Sequence, residues 1–307
     1  MKEEYRPMLA TLADEPFDSE QWVYETKWDG FRLVAEVQHA SVRLFSRNGI
    51  EVTERYPAIA RALRAISEPC VIDGELVALD AKGRSRFQLL QNALRDETTR
   101  LQYCVFDILF LGGQDVRSQP LLERKRLLQQ ILPRTQLLCY SEHIKEKGIA
   151  LFDHAKRAGL EGVMAKRAAG LYYSGKRTRE WLKFKAVNEQ EAVIVGYTAP
   201  RGSRRYFGAL VLAVREGSHW RYVGHVGTGF DEETLQSLYE KMQPLRTETK
   251  PVAAQVKDAA RTTWLQPRLV GEIKFTEWTD DGEMRHPVFL GLRSDKKATD
   301  VIREVPT

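Results

Sequence analysis

The chain has 307 residues, 43% of them hydrophobic and 29% charged, which is enough apolar material for one large domain or two smaller ones. No apolar run is long enough to span a bilayer, and the opening MKEEYRPMLA lacks the apolar core of a signal peptide, so a cytoplasmic protein is expected. Net charge is +5; residues 1–186 hold the excess, with 30 basic against 25 acidic side chains, while residues 187–307 balance at 17 and 17, which permits a polyanionic partner without requiring one.

Three short runs come first, WVYETKW, FRLVAEVQ and SVRLFS. Each is rich in β-branched or aromatic residues, and Asp29-Gly30 and Gln38-His39-Ala40 supply turns, as strands joined by hairpins require. RYPAIARALRAI then has apolar residues at helical spacing, with Pro57 in its first turn. CVIDGELVAL reads as a strand pair or as one strand bent at Gly74, RFQLLQNAL as a helix, and LQYCVFDILFL as a buried strand ending at Gly112-Gly113. LLERKRLLQQIL predicts an amphipathic helix with Leu121, Leu122, Leu127, Leu128, Ile131 and Leu132 on its apolar side. A further helix covers roughly 146–158, and the strands GVMAKR and EWLKFKAV close this half.

After Val187 the character changes. AVIVGYTA, GALVLAVRE and WRYVGHVG are short strands with glycine turns, followed by the helix DEETLQSLYEKM, a Pro/Thr/Lys-rich loop over 244–251 and the strand LVGEIKFTEW. Five or so strands with one helix between them fit a small barrel of the OB type. The expected fold class is therefore α+β, with antiparallel sheets and helices over residues 1–187 and an OB-fold β-barrel over 188–307.

There is no Walker-type GxxxxGK[ST], no HExxH and no GxSxG. Cys70, Cys104 and Cys139 show no CxxC spacing and read as reduced, mostly buried thiols rather than a disulfide or zinc framework. The six histidines are scattered without ligand spacing. What is present is ETKWDGFR, holding Lys27, Asp29, Gly30 and Arg32. Four fixed positions of this kind arise by chance in roughly one chain of this size in several hundred. Taken alone, they fit equally a lysine on an exposed hairpin strand whose Asp-Gly forms the turn.

They do not stand alone. In order follow SRNG (Ser46–Gly49), DGELV (Asp73–Val77), YCVFDIL (Tyr103–Leu109), EGVMAKR (Glu161–Arg167), WLKFK (Trp181–Lys185) and RHPVFLGLRSDK (Arg285–Lys296). This ordered set, spread over almost the whole chain, resembles the covalent nucleotidyltransferase superfamily of ATP-dependent DNA ligases, RNA ligases and mRNA-capping enzymes. The flanking RPMLATLA, RGSRRYFGALVLAV and RHPVFLGLRSDK are most similar to the ligase domain of bacterial end-joining DNA ligases.

The physical logic of the residues runs beside that resemblance. Attack on an α-phosphate needs a neutral amine, whereas a free lysine titrates near about 10.4; lowering it by about three units takes roughly 4 kcal/mol of differential destabilisation of the ammonium. Burial and neighbouring cations do this. Lys183 and Lys185 alternate on a strand, so both project to one face and can disfavour a third ammonium and neutralise phosphate charge; the alternative is a solvated strand face. Glu75 and Glu161 sit in apolar strand runs, where an unpaired charge is costly, and as hard oxygen ligands they suit Mg²⁺ or Mn²⁺; the alternative is a buried salt bridge to Arg32 or Arg47.

The resemblance implies more specific roles. Lys27 is the nucleophile that takes AMP from ATP, with Lys183 and Lys185 against the α-phosphate. Glu161 supports the metal, and Glu75 serves the ribose or the metal. Phe106 stacks on one face of the adenine and Met164 on the other, although an aromatic in VFDIL is also ordinary core. Glu25 lies near the adenine, Arg32 reaches the ribose and Arg47 binds phosphate. In RSDK, Arg293 and Lys296, with Asp295 between them, orient the leaving pyrophosphate. Arg201, Arg204 and Arg205 with Tyr206 suit a DNA backbone or a solvated loop.

The activity implied is ATP-dependent sealing of 3′-hydroxyl/5′-phosphate nicks in double-stranded DNA during repair or end joining, by a monomer associated with the bacterial nucleoid. Ku, or the polymerase and nuclease modules of end joining, are the partners implied. The alternatives are an RNA ligase or capping-type nucleotidyltransferase, separable by base and acceptor preference, and a binding module built on an OB barrel.

Overall fold

The computed structural model describes residues 3–39, 41–93, 98–202 and 204–304; Ala40 of the expected turn, Leu94 at the end of the RFQLLQNAL helix, Ser203 of the arginine run and the closing residues 305–307 lie outside them. Contacts divide the chain into a unit running to Val187 and a unit over Asn188–Glu304. In the first unit the strands are β1 (Leu9–Leu12), β2 (Trp22–Lys27), β3 (Phe31–Gln38), β4 (Ser41–Ser46), β5 (Cys70–Leu79), β6 (Arg100–Leu111), β7 (Gln114–Asp115), β8 (Leu138–Tyr140), β9 (His143–Lys145), β10 (Gly162–Arg167) and β11 (Arg177–Lys185). The helices are α1 (Pro57–Leu63), α2 (Phe87–Asn92), α3 (Leu121–Ile131) and α4 (Gly148–Ala158).

The strands make two sheets, one in the order β1-β11-β10-β2-β9, the other β4-β3-β5-β6-β7 with β8 also on β6. Pairing is antiparallel except for β1 with β11 and β6 with β8. β2 and β3 belong to different sheets, so Asp29-Gly30 is the crossing between two sheets and not a hairpin turn. Local chemistry explains the residues there. The Asp29 carboxylate accepts from Phe87 N–H at 3.0 Å at the start of α2. A Cβ on Gly30 would stand 2.1 Å from the Leu76 carbonyl oxygen, so only glycine lets the crossing lie this close to β5. CVIDGELVAL is one strand, and the expected bend at Gly74 is a register slip between Asp73 and Gly74.

Three apolar clusters hold this unit together. Leu33, Ala35, Ile72, Leu76, Tyr103 and Val105 point from the β3-β5-β6 sheet into one of them, which also takes residues of α1 and α3. Tyr24, Val163, Ala165, Leu182 and Phe184 point from the β2-β10-β11 sheet toward Phe152 and Ala155 of α4. Between the sheets lie Val34, Val71, Phe106, Leu109, Tyr172 and Trp181. Helix α3 departs from the expected stripe. It buries Leu121 and Leu128, but also Arg124 and Lys125. Arg124 meets Asp107 of β6 through Nε and Nη2 at 2.8 and 2.9 Å, and both side chains are 0% exposed. Leaving one ion of such a pair alone costs about 3–5 kcal/mol. Arg124→Met is therefore expected to lower the melting temperature by roughly 10 °C, using about 2–4 °C per kcal/mol for a domain of this size. An unchanged melting curve would show that Asp107 needs no partner.

The second unit contains β12 (Glu189–Thr198), β13 (Leu210–Glu216), β14 (His219–Val226), β15 (Arg246–Thr247), β16 (Thr262–Lys274) and β17 (Val288–Leu292), with α5 (Glu232–Met242) after β14. β12 pairs with β13 and β16, β13 with β14, and β16 with β17. Phe289 N donates to Thr228 O at 3.0 Å and Met284 N to Val223 O at 2.9 Å, and these bonds close the ring as an OB barrel requires. Its core holds Val193, Val195, Leu212, Val223, Ile273 and Phe289, with Leu238 and Met242 of α5 against it. Asp231 caps α5 by accepting from Thr234 N–H at 2.7 Å. Among the described residues no helix is long and apolar enough to cross a membrane.

Candidate active site

Strand periodicity builds one wall of the site. In the ladders β2-β10-β11, Lys27 is opposite Gly162 and Gly162 opposite Lys185; one step along, Glu25 is opposite Met164 and Met164 opposite Lys183. Directly opposed residues share a face, so Glu25, Lys27, Met164, Lys183 and Lys185 look the same way. The alternate residues Tyr24, Val163, Leu182 and Phe184 look the other way, into the cluster under α4. A Cβ on Gly162 would lie 2.0 Å from the Phe184 carbonyl oxygen, so glycine at this place lets the lysine strands come together.

Lys27 Nζ is ion-paired with Glu161 Oε1, the two side chains being 17% and 11% exposed. Glu161 stands just before β10, not inside an apolar strand as its sequence context suggested, and its partner is Lys27, not Arg32 or Arg47. The nearest charge to the expected nucleophile is thus an anion, which favours the ammonium. Lys27 can be a nucleophile only once Glu161 is engaged elsewhere, and Lys183 and Lys185 on the same face then work against a third ammonium.

Beneath this face lies a buried cluster. Glu25 is 2% exposed, with Lys125 Nζ 2.9 Å from Oε1 and Lys166 Nζ 2.9 Å from Oε2. Ser141 Oγ donates to Glu25 at 3.2 Å and itself accepts from Trp28 Nε1 at 3.0 Å. Burial alone would raise the Glu25 carboxyl, but the two ammonium groups outweigh it and hold it below the ordinary range. Burial brings Lys166 down to about 8, against the pull of Glu25. An unfolded chain keeps that proton to about 10.4, so between the two values the unfolded state binds more protons and this group's contribution to stability rises with pH. Wild type is expected to gain on Lys166→Met from about pH 8 to about pH 10, read as the difference in urea midpoints. A difference constant with pH would show that Lys166 titrates alike in both states.

The facing sheet supplies the other residues. Arg32 of β3 is opposite Glu75 of β5, yet its guanidinium forks onto Asp73, at 2.5 and 2.6 Å. Tyr172 OH also donates to Asp73, at 2.6 Å. The Arg32 guanidinium carbon lies 4.6 Å from the centre of the Phe106 ring, and Lys166 Nζ lies 4.2 Å from the same centre. Phe106 is buried and meets Trp181 edge to face at 6.0 Å, with Met164 packed against the same cluster. The structure therefore brings Phe106 and Met164 together, with two cations on the Phe106 ring. Glu75 is half-buried on β5, and Arg47 is half-buried in the turn after β4, where Gly49 N–H closes back on Ser46 O at 2.8 Å.

Among the described residues no group of three or more His, Cys, Asp or Glu side chains stands ready for a metal. Glu161, 11% exposed, and half-buried Glu75 present hard carboxylate oxygens, the donor type that Mg²⁺ and Mn²⁺ take.

In the second unit, Arg293 pairs with Asp295 at 2.8 Å and Glu272 at 2.7 Å, and Lys296 with Glu191 at 2.6 Å. Burial opposes the charge on Glu191, but Lys296 and Arg293 hold its carboxyl at about 2. Both cations expected on the pyrophosphate thus have carboxylate partners within their own unit. Of the arginine run, Arg201 and Arg205 are exposed and pair with Asp258 and Glu232. Arg204 packs over Phe207 and Phe230 and donates to Gly227 O at 2.7 Å, which makes it part of the barrel.

Asp73, Lys125, Ser141, Lys166 and Tyr172 were not singled out from the sequence. A charged residue in an apolar run flags Asp73 as it flagged Glu75, and Lys125 on the buried side of α3 carries the same signal.

Residues 7–185 match the family model "ATP dependent DNA ligase domain" and residues 203–296 the model "ATP dependent DNA ligase C terminal region". The chain is 38% identical to the multifunctional non-homologous end joining protein LigD of Pseudomonas aeruginosa, covering 100% of this chain and 37% of that protein. It is also 38% identical to the LigD DNA repair protein of Mycobacterium tuberculosis, over 97% of this chain and 40% of that protein, so it spans about two fifths of these two relatives' length. A mycobacterial DNA ligase D solved with ATP and MES superimposes with a TM-score of 0.74 at 35% identity, covering 98% of this chain and 99% of that one. The ligase domain of M. tuberculosis LigD gives a TM-score of 0.55 at 37% identity over 98% and 99%. With the lysine of ETKWDGFR set against Glu161 and on one face with Lys183 and Lys185, and with both family models matched in order, this chain belongs to the ATP-dependent DNA ligases.

Proposed function

We propose that this chain seals 3′-hydroxyl/5′-phosphate nicks in double-stranded DNA, and that Lys27 carries the AMP. The observation that carries this reading is the Lys27–Glu161 pair set in register with Lys183 and Lys185. The Lys27 ammonium gives a proton to water and the neutral Nζ attacks the α-phosphorus of ATP; the N–P bond forms as a second N–H proton passes to water, the bond to the bridging oxygen breaks and pyrophosphate leaves. Lys183 and Lys185 offset the charge gathering on the α-phosphoryl oxygens. The 5′-phosphate of the nick then attacks the lysyl-AMP, breaking the N–P bond and restoring the amine. The 3′-hydroxyl attacks the DNA-adenylate, and AMP leaves. Glu161 and Glu75 would hold a Mg²⁺ or Mn²⁺ ion, which supplies charge neutralisation at the phosphates. Phe106 and Met164 would take the faces of the adenine, with Glu25 beneath it, Arg32 toward the ribose and Arg47 toward phosphate. For Phe106 this requires the cations now on its ring to move aside.

The expected setting is DNA repair or end joining in the bacterial cytoplasm, at the nucleoid. Ku and the polymerase and nuclease modules of end joining remain the proposed partners; the relatives' names print non-homologous end joining. Incubation with α-labelled ATP or GTP, then with a nicked duplex, tests the reading. Label from ATP that passes to the DNA 5′-end supports it. Label from GTP alone, or transfer only to RNA, points instead to a capping enzyme or RNA ligase.

The RSDK residues have their own test. Lys296→Ala is expected to slow lysine adenylation by about 10²-fold, the scale for losing one group that stabilises developing charge. Sealing of a pre-adenylated nick should stay near wild type, because pyrophosphate has already left. Equal losses in both steps would place Lys296 in DNA binding or in the barrel's own Glu191 pair.

A further inference from the structure

Four strands of the β3-β5-β6-β8 sheet align one residue each in a single row. Arg32 is opposite Glu75, Glu75 opposite Cys104, and Cys104 opposite Cys139. Opposed residues share a face, so the two thiols lie at the end of the row that carries Glu75. Neighbouring strands are about 4.8 Å apart, within the roughly 4.4–6.8 Å between Cα atoms that a disulfide spans. The two thiols therefore stand side by side on adjacent strands, Cys139 Sγ donating to Tyr140 O at 3.3 Å and Cys104 Sγ to Gln102 Oε1 at 3.9 Å. Cys139 is half-buried and Cys104 buried, an outer and an inner sulfur side by side. Cys70 is buried elsewhere, opposite Leu111 on β6.

We propose that Cys104 and Cys139 form a modification site that a hydroperoxide converts to an intrachain disulfide, and that this tie slows AMP uptake by displacing the Glu75 row and Ser141. The chemistry balances. Cys139 sulfur attacks one peroxide oxygen, the O–O bond breaks, and hydroxide leaves with a proton as water, giving a sulfenic acid. Cys104 sulfur then attacks the Cys139 sulfur; the S–O bond breaks, the S–S bond forms, and the Cys104 proton leaves with the hydroxide as a second water. Two thiols and one peroxide become one disulfide and two waters.

Closing the two sulfurs to bonding distance fixes both side chains and ties β6 to β8 at this pair. β6 lies beside Glu75, and Ser141, two residues after Cys139, holds Glu25 and Trp28. The effect on AMP uptake rests on the nucleotidyltransferase reading above; the cross-link does not.

The reduced full chain is treated with hydrogen peroxide, then examined by intact mass, by peptide mapping and by uptake of label from α-labelled ATP. The expected result is loss of two hydrogens, a linked peptide joining Cys104 to Cys139, and a fall in adenylation rate of about 10-fold or more, the scale for disturbing residues that support a site. Dithiothreitol should restore the rate. Cys139→Ser should keep its rate after peroxide, whereas Cys70→Ser should lose it as wild type does. Peroxide that leaves the cysteines unlinked, or that adds oxygens to them singly, overturns the proposal. So does a linked chain that adenylates at the reduced rate's full value. The untreated chain's AMP uptake checks the nucleotidyltransferase reading separately, since the mass and the linkage do not depend on it.

Discussion

Lys27→Ala is expected to abolish covalent labelling by α-labelled ATP, a fall of about 10⁴-fold or more, which is the range seen when a covalent nucleophile is removed. Lys183 and Lys185 share its face, but each stands on β11, with β10 between it and Lys27. Lys166 and Lys125 are buried and held on Glu25. The variant should still fold, because the partner left behind, Glu161, is partly open to water and near Lys185, which is opposite the neighbouring Gly162. It should also still bind nicked duplex. Acid-labile AMP recovered on the purified, folded variant would show that another residue is the nucleophile.

Glu161→Gln should show the second large effect, composed of two opposed parts. Removing the carboxylate strips Lys27 of its counter-ion, so the amine loses its proton at lower pH. In the proposed role, the same change also replaces an anionic oxygen ligand of the metal with a neutral amide oxygen and weakens compensation of the leaving pyrophosphate. We expect the second part to dominate, with adenylation down by about 10²-fold at saturating Mg²⁺. The pH at which the remaining activity rises should move toward acid. A single-turnover pH profile at two Mg²⁺ concentrations separates the parts. A variant matching wild type in rate, Mg²⁺ dependence and pH profile would leave Glu161 only a structural partner of Lys27.

The sequence showed some of this geometry and hid the rest for identifiable reasons. Lys183 and Lys185 were legible as a pair on one face because strand alternation is strictly two-residue. The OB barrel was legible from short strands and glycine turns, although β17 was seen only as motif text and not as a strand. β1 and β8 were missed because each is short and pairs in parallel, β1 with a strand more than 160 residues away, so nothing local marks it. The reading of Asp29-Gly30 as a hairpin failed because turn chemistry says where the chain bends, not whether the flanking strands pair with each other. Helix α3 misled because an apolar stripe was assumed to face inward alone; Arg124 and Lys125 are also inside because Asp107 and Glu25 wait for them there. Pairing choices were hidden too. Arg32 had Glu75 directly across the ladder and took Asp73 instead.

The crossing at Asp29-Gly30 makes the motif a measuring stick. Lys27 ends a strand of one wall, and Arg32 begins the service of the other wall one residue into β3. Because side chains alternate along β3, lengthening the crossing by one residue and taking it up as a one-residue slip of β3 would turn Arg32 into the cluster now filled by Leu33 and Ala35, and would turn Leu33 out toward Asp73. The chemistry of the crossing can vary at Trp28 and Phe31 as far as packing allows, but its length cannot. Drift by substitution is open to this segment, whereas drift by insertion or deletion is closed, and the distance from lysine to arginine is kept by the geometry of two sheets rather than by either residue's reaction.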